Sequence, residues 1–206
     1  MIRSSSIPAV EAVVTRAVDL FKGTLRRYKP WYRPDRDEQR SGNTERNLTF
    51  QFALGFCAIH GDAAFAAMEV PLLSARGRHE HHLDAYLFAP PLAVLLECKV
   101  HSGNDSLEGV VGDMARMTPS VLQQIRARHQ GPSEAEKTVS MVLVEAWGRG
   151  GSCTRRWLDE AERAKWSREK LPPDWHYDGK EIFEANSASD GTLYWLYAYR
   201  HLDLTP

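Results

Sequence analysis

Long apolar runs are missing from this sequence. The most apolar opening segment, IPAVEAVVTRAVDLF, is broken by Glu11, Arg16 and Asp19, and no stretch reads as an export signal or a membrane span. Cysteine is scarce. Cys57, Cys98 and Cys153 are odd in number, far apart and never paired as CxxC, which points to reduced thiols in a cytoplasm rather than a disulfide framework. Charge of one sign is also lacking: 26 Lys and Arg face 27 Asp and Glu, and a formal net charge of -1 neither demands nor forbids nucleic acid as a partner. There is no internal repeat and no low-complexity tract. What remains is an ordinary globular composition, 43% hydrophobic and 26% charged over 206 residues, enough for one domain spanning 1–206.

The apolar spacing divides the chain into elements. Val10, Val13, Val14, Ala17, Phe21 and Leu25 recur at helical intervals and predict a first helix from Pro8 to Tyr28. A Pro- and charge-rich connection from Lys29 to Gly42 follows. Asn43 or Thr44 then caps a second helix, with Glu45 in its first turn, running to Gly61. AAFAAMEVPLL, HHLDAYLF and AVLLECKV read as three consecutive strands. SLEGVVGDMARM and PSVLQQIRARH read as helical, KTVSMVLVEAW as a buried strand, and RRWLDEAERAKWSREK as a helix stopped by Pro172 and Pro173. DGTLYWLYAYRHLDL is the last strand. The fold class expected is α/β, a mixed central sheet flanked by helices, with a core at about 44–147, an N-terminal helix and basic connection at 1–43, and an extension at 148–206.

Acids are poor strand formers, yet Asp84 sits in one strand of the apolar hairpin and Glu97 with Lys99 in the other. Alternation puts Asp84, Tyr86 and Phe88 on one face, opposed by Leu83, Ala85 and Leu87; Leu95, Glu97 and Lys99 likewise share a face. A hairpin centred on Pro90 and Pro91 makes facing residue numbers sum to 181, so Asp84 lies opposite Glu97. Directly paired, their Cβ atoms would be about 4.5–5.5 Å apart, where like charges destabilise a sheet. Something positive belongs between them. Lys99 can offset one charge, and a divalent cation, matched to hard oxygen ligands, would bridge both. The Cys98 backbone carbonyl offers a further ligand, and Glu45 one more through a water.

A helix bearing an acid, three strands with Asp on the second and Glu-x-Lys on the third, then helix and strand, resembles the PD-(D/E)XK nuclease superfamily and its restriction-endonuclease-like fold. The resemblance covers Thr44 to Trp147. It implies an αβββαβ core with an extra N-terminal helix and a C-terminal helix and strand. It also implies a Mg²⁺- or Mn²⁺-dependent nuclease acting on DNA, with Asp84, Glu97 and Lys99 as the signature and Glu45 as the helical acid. The residue before the Asp is Leu83, where the family pattern has Pro. Some members of the superfamily are inactive and serve as binding, immunity or regulatory modules. A net charge near zero is compatible with a homodimer or a partner protein lending affinity.

Other motifs carry less. Asp178-Gly179-Lys180 repeats the acid-x-Lys spacing, but reads as a Gly turn without an apolar strand before it or an acid hairpin partner. Asp113 and Arg116, one helical turn apart, read as a surface ion pair. Gln123 and Gln124 match a Gln that follows the signature in some nuclease branches, or are simply exposed helical residues. His82 falls on the Asp84 face within reach of a cation or phosphate, whereas His79 and His81 fit the turn between strands, and no zinc ligand set is completed by them. The basic stretch Arg26, Arg27, Lys29, Arg33, Arg36, Arg40 and Arg46, interleaved with Tyr28, Trp31 and Tyr32, is either a phosphate-contacting surface or a solvated linker offset by Asp35, Asp37 and Glu38. Trp147, Trp157, Trp166, Trp175 and Trp195 read as packing residues.

Overall fold

A computed structural model of the chain describes residues 7–28, 45–73, 79–101, 107–129, 137–148, 152–165, 170–184 and 192–202. Val10, Val13, Val14, Ala17, Val18, Phe21 and Leu25 make one apolar stripe on α1 (Ile7–Tyr28), which packs on α2 (Glu45–His60). The two helices cross closely at Gly55. A Cβ built there would meet the Ala17 Cβ at 2.5 Å, so only glycine permits the approach. One 3-10 turn (Gly61–Ala63) leads into β1 (Phe65–Leu73), β2 (His79–Ala89) and β3 (Leu92–His101). Then come α3 (Glu108–Arg116), α4 (Pro119–His129), β4 (Lys137–Gly148), α5 (Ser152–Leu158), α6 (Glu160–Lys165), β5 (His176–Glu184) and β6 (Thr192–Leu202).

The six strands form one mixed sheet in the order β1-β2-β3-β4-β6-β5. The first three are an antiparallel meander, β4 runs parallel to β3 after the α3–α4 crossover, and β6 is antiparallel to both β4 and β5. Because both faces of β3 and β4 are covered, these strands are apolar almost throughout. One layer is α1 and α2 over the sheet face that carries Val94, Leu96, Met141, Leu143 and Tyr197. The other is α3, α4 and α5 over Leu95, Val142, Val144, Leu196 and Ala198. Ser140 on β4 and Arg200 on β6 both donate to the Met117 carbonyl, at 3.2 and 3.1 Å, fixing the joint between α3 and α4 on the sheet. The fold is therefore the α/β class expected, a mixed sheet flanked by helices. No helix among the described residues is long and apolar enough to cross a membrane.

The C-terminal part departs from expectation. The single helix read from Arg155 onward is two short ones, because the Asp159 carboxylate accepts from the backbone N–H groups of Ala161 at 2.8 Å and Glu162 at 3.2 Å and starts α6 afresh. Asp178-Gly179-Lys180 is not a turn; it lies within β5, opposite Tyr197, Leu196 and Trp195. Gly179 is there for space: a Cβ would meet a Leu196 methyl at 2.9 Å and a Leu158 methyl at 3.3 Å. Trp157 spans the strand pair, its indole N–H facing the carbonyls of Asp178 (3.2 Å) and Tyr197 (3.1 Å). Trp157, Trp175 and Trp195 are buried, as packing residues should be. The Trp147 side chain, Trp166 and the connection at 29–44 lie outside the described residues. His79 and His81 belong to β2 rather than to a turn, since the strand extends further back along β1 than the apolar pattern indicates.

Candidate active site

The β2–β3 ladder runs from Ala89 opposite Leu92 to Ala85 opposite Leu96, the register in which facing numbers sum to 181. One step further it sets Asp84 against Glu97. There the ladder ends: β2 continues beside β1, and β3 continues beside β4 to His101. The carboxylate of Asp84 takes over where the backbone pairing stops, its Oδ2 accepting the Cys98 N–H at 2.7 Å. The strict alternation expected along β2 also fails here. Ala85 and Leu87 pack toward α1 and α2 and Tyr86 and Phe88 toward α3 and α4, but Leu83 joins the Tyr86 side. The paired strand shows why. Glu69 on β1 has φ +53°, an uncommon conformation for a side-chain-bearing residue, and no pair forms between it and Asp84, so both strands reverse their inward faces at one level.

Around this fork the two helical layers each contribute. From α2, Glu45 Oε1 comes to 3.6 Å from the Lys99 Nζ. From α3, Asp113 Oδ2 comes to 3.3 Å from the same ammonium. Arg116, one turn further along α3, pairs closely with Asp113 Oδ1 and reaches Glu97 Oε1 at 3.9 Å. Asp113 is thus not half of a surface pair: it is 2% exposed and faces Glu97, itself 3% exposed. Lys99, Glu45 and Arg116 form a partly exposed rim over that buried floor. Glu69, ion-paired with Arg46 at 3.1 Å, adds negative charge near Asp84.

The electrostatics follow from this crowding. Burial, then the Asp113 and Asp84 charges, push the Glu97 carboxyl from 4.5 up to about 8, against the opposing pull of Arg116 and Lys99. Asp84 is also raised, mainly by burial, although the Cys98 N–H, the Lys99 charge and a hydrogen bond with the Glu97 carboxyl hold it down in part. For Lys99, burial favours the neutral amine, yet Asp113, Glu45 and Asp84 together outweigh it and its pKa is raised. The ammonium stays charged at neutral pH.

No protein-family model, curated protein or solved structure matches this chain. The functional reading accordingly rests on the residues and their geometry.

Asp84, Glu97, Lys99 and Glu45, each singled out in the sequence, meet in one place. Asp113, Arg116 and Glu69 complete the cluster, and the sequence does not mark them as part of it. Asp113 and Arg116 show an i, i+3 spacing that any exposed helical pair shares; only the fold puts that helix over β3. Gln123 is exposed on α4, Gln124 is half-buried there, and His82 is exposed on β2 two residues before Asp84. The chemistry available at the fork is that of several carboxylates around two cationic side chains, Lys99 and Arg116, with more acidic than basic groups in the cluster.

Proposed function

We propose that this chain is a divalent-metal-dependent nuclease of the PD-(D/E)XK type, hydrolysing phosphodiester bonds. The observation that carries the reading is the convergence of Asp84, Glu97 and Lys99 at the end of the β2–β3 ladder, with Glu97 held as a weak acid by its neighbours. A buried carboxyl pushed up to about 8, by burial first and then by Asp113 and Asp84, is one whose ionised form a bound cation would favour. All the donors are oxygens, which suits Mg²⁺ or Mn²⁺. The order of α2, β1, β2, β3, the α3–α4 pair and β4 supports the same reading, as does the α2 placement of Glu45.

Asp84 and Glu97 would hold the cation, with the Cys98 carbonyl as a third donor and Glu45 acting through a water. When bound, the ion would act as a Lewis acid toward the phosphate and lower the pKa of a bound water. Asp84 spends one oxygen on the Cys98 N–H, which fixes its carboxylate plane, and an ion would replace the hydrogen bond it shares with the Glu97 carboxyl. Lys99, held charged by Asp113 and Glu45, orients the attacking water and offsets charge on the phosphate in the transition state; its raised pKa argues against a role as the base. Asp113 is a positioning residue, since it holds both Lys99 and Arg116 in place. DNA is the substrate suggested by the resemblance; the residues at the fork recognise a phosphodiester and do not distinguish DNA from RNA.

A second reading draws on Arg116. A guanidinium facing both Glu97 and Asp113 supplies from within the chain some of the charge that an ion would bring. On that reading the site is a structural ion-pair network, and the protein is a binding, immunity or regulatory module. The test is incubation with plasmid, linear and single-stranded DNA and with RNA in Mg²⁺ or Mn²⁺, beside Asp84→Ala and Lys99→Ala. Cleavage lost in both variants, with the fold retained, is the expected result. Cleavage that survives either substitution removes this site from the chemistry, and wild-type protein that takes up no Mg²⁺ in calorimetry selects the second reading.

A further inference from the structure

The repeated acid-x-Lys spacing at Asp178-Gly179-Lys180 lies at the opposite edge of the sheet from the fork, and it has acquired neighbours that the sequence did not announce. Asp178 and His176 occupy alternate positions of β5 and so share a face. That face is covered by α1, which brings Glu11 to them. One carboxylate oxygen of Glu11, one imidazole nitrogen of His176 and one carboxylate oxygen of Asp178 all lie within 4.8 Å of one another. All three residues are half-buried, so a cation has a route from solvent. No Lys or Arg is ion-paired with Glu11 or Asp178 among the described residues.

The groups beneath the three are arranged for a ligand. The Asp178 carboxylate is held at both oxygens: Oδ1 accepts from the Gly179 N–H and Oδ2 from the Tyr197 hydroxyl, each at 2.7 Å. Hydrogen bonds of this kind orient a metal-binding carboxylate while leaving lone pairs outward. Tyr199 is the cross-strand partner of His176, ring centroids 4.9 Å apart. Glu11 and Asp178 are its charged neighbours. Its hydroxyl is buried and has no hydrogen-bond partner among the described residues, although the residue is only 1% exposed. A buried hydroxyl without a partner costs about 1–3 kcal/mol, and a water on a bound cation would satisfy it.

We propose that Glu11, His176 and Asp178 form a second cation site, for Zn²⁺ or a similar borderline transition-metal ion, with a metal-bound water facing the Tyr199 hydroxyl. The imidazole decides the class of ion. Mg²⁺ takes oxygen donors and keeps its waters, whereas one nitrogen with two carboxylates and a water is a four-coordinate set of the kind zinc accepts. The two sites therefore differ in chemistry as well as in place: an all-oxygen set at the fork, a mixed nitrogen and oxygen set at the edge. An ion here fastens α1 to β5, the edge strand of the sheet.

The test uses the full chain and Zn²⁺ alone, so it does not depend on cleavage. Calorimetry should give one tight Zn²⁺ per chain, accompanied by a rise in melting temperature, in the wild type and equally in Asp84→Ala. His176→Ala should weaken this binding about 100-fold or more and abolish the thermal shift, and Glu11→Gln, a milder change at a half-buried position, should weaken it at least about 10-fold. Melting curves of the metal-free variants establish that they fold. Zn²⁺ binding that is absent from the wild type, that survives both His176→Ala and Glu11→Gln, or that is lost in Asp84→Ala instead, overturns the assignment. Whether this edge takes up Zn²⁺ leaves the Mg²⁺ reading of the fork untouched; only a loss in Asp84→Ala would bear on it, by locating the ion at the fork.

Discussion

Glu97-Cys98-Lys99 and Asp178-Gly179-Lys180 share the spacing acid-x-Lys and lie on β3 and β5 of the same sheet, yet the fold makes different things of them. On β3 the acid is buried among other carboxylates, and Lys99 is drawn into the cluster by Asp113 and Glu45. On β5 the acid is half-exposed, hydrogen-bonded at both oxygens by a tyrosine and a backbone N–H, and its neighbours with metal-binding atoms are His176 and Glu11. The difference teaches that a short motif fixes only which groups share a face. What those groups can do depends on the elements that fold over them: α2 and α3 at the fork, α1 at the edge. Each proposed site carries the chemistry of its cover.

The comparison breaks most visibly at Asp84. If the fork alone is the hydrolytic site, Asp84→Ala should lower the cleavage rate by about 10³-fold or more, equivalent to about 4 kcal/mol of transition-state stabilisation. Cleavage assays on the wild type and this variant, with circular dichroism to verify folding, provide the measurement. A rate that falls instead on changing His176 would transfer the chemistry to β5.

The second difference is one of pH. A carboxyl whose folded pKa lies above its unfolded value keeps the native state more protonated, so stability falls as pH rises between the two values. Glu97 therefore predicts a stability loss beginning above 4.5 and ending near 8, with a slope of up to about 1.4 kcal/mol per pH unit. Glu97→Gln should flatten that part of the profile and be the more stable protein at pH 8, and Mg²⁺ should flatten the wild-type curve, because a bound cation favours the ionised acid. Urea titrations across pH 5–9 would show this. An unchanged profile in the variant would mean that Arg116 and Lys99 offset the burial of Glu97 more completely than their positions suggest, and would favour the ion-pair network.

The two sites are also joined. Glu11 lies on α1 and Glu45 on α2, and these helices meet where Gly55 touches Ala17. Gly55→Val should cost about 1–3 kcal/mol by overpacking, and it should disturb both proposed cation sites at once. Thermal unfolding gives the first quantity, and calorimetry with Mg²⁺ and with Zn²⁺ gives the second. Loss at one site alone would show that each helix is held by its own contacts with the sheet.

Much of this was legible beforehand. The stripe of α1, the three strands after α2 and the 181 register of the hairpin follow from periodicity and from the position of the Pro90–Pro91 turn, and they bring Asp84, Glu97, Lys99 and Glu45 to one place. Local rules failed where the deciding contact is remote. Nothing in the sequence around Glu69 announces a positive φ, and Asp113 looks like any acid spaced for a helical ion pair until α3 is laid across β3. Gly179 reads as a turn because a glycine in a strand is uncommon; its reason is the pair of leucine side chains that press on it from β6 and α5. The Glu11, His176 and Asp178 group joins residues from the two ends of the chain, a distance over which spacing carries no information.

The smallest effect separates how the two acids are held. Asp178 is held by the Tyr197 hydroxyl as well as by a backbone N–H, whereas Asp84 is held by the backbone N–H of Cys98 and meets no side-chain hydroxyl among the described residues. Tyr197→Phe should therefore cost about 1 kcal/mol, the usual net worth of such a hydrogen bond, and the ring remains to fill its place in the core. The same change removes one of the two hydrogen bonds that hold the Asp178 carboxylate, so Zn²⁺ affinity should drop by several-fold or more, toward the roughly 10–100-fold range seen when an outer hydrogen bond to a metal ligand is removed. Because the tyrosine touches no group at the fork, Mg²⁺ affinity measured on the same preparation gives the contrast. A parallel fall in both would show that the β-sheet, rather than the local hydrogen bond, transmits the loss.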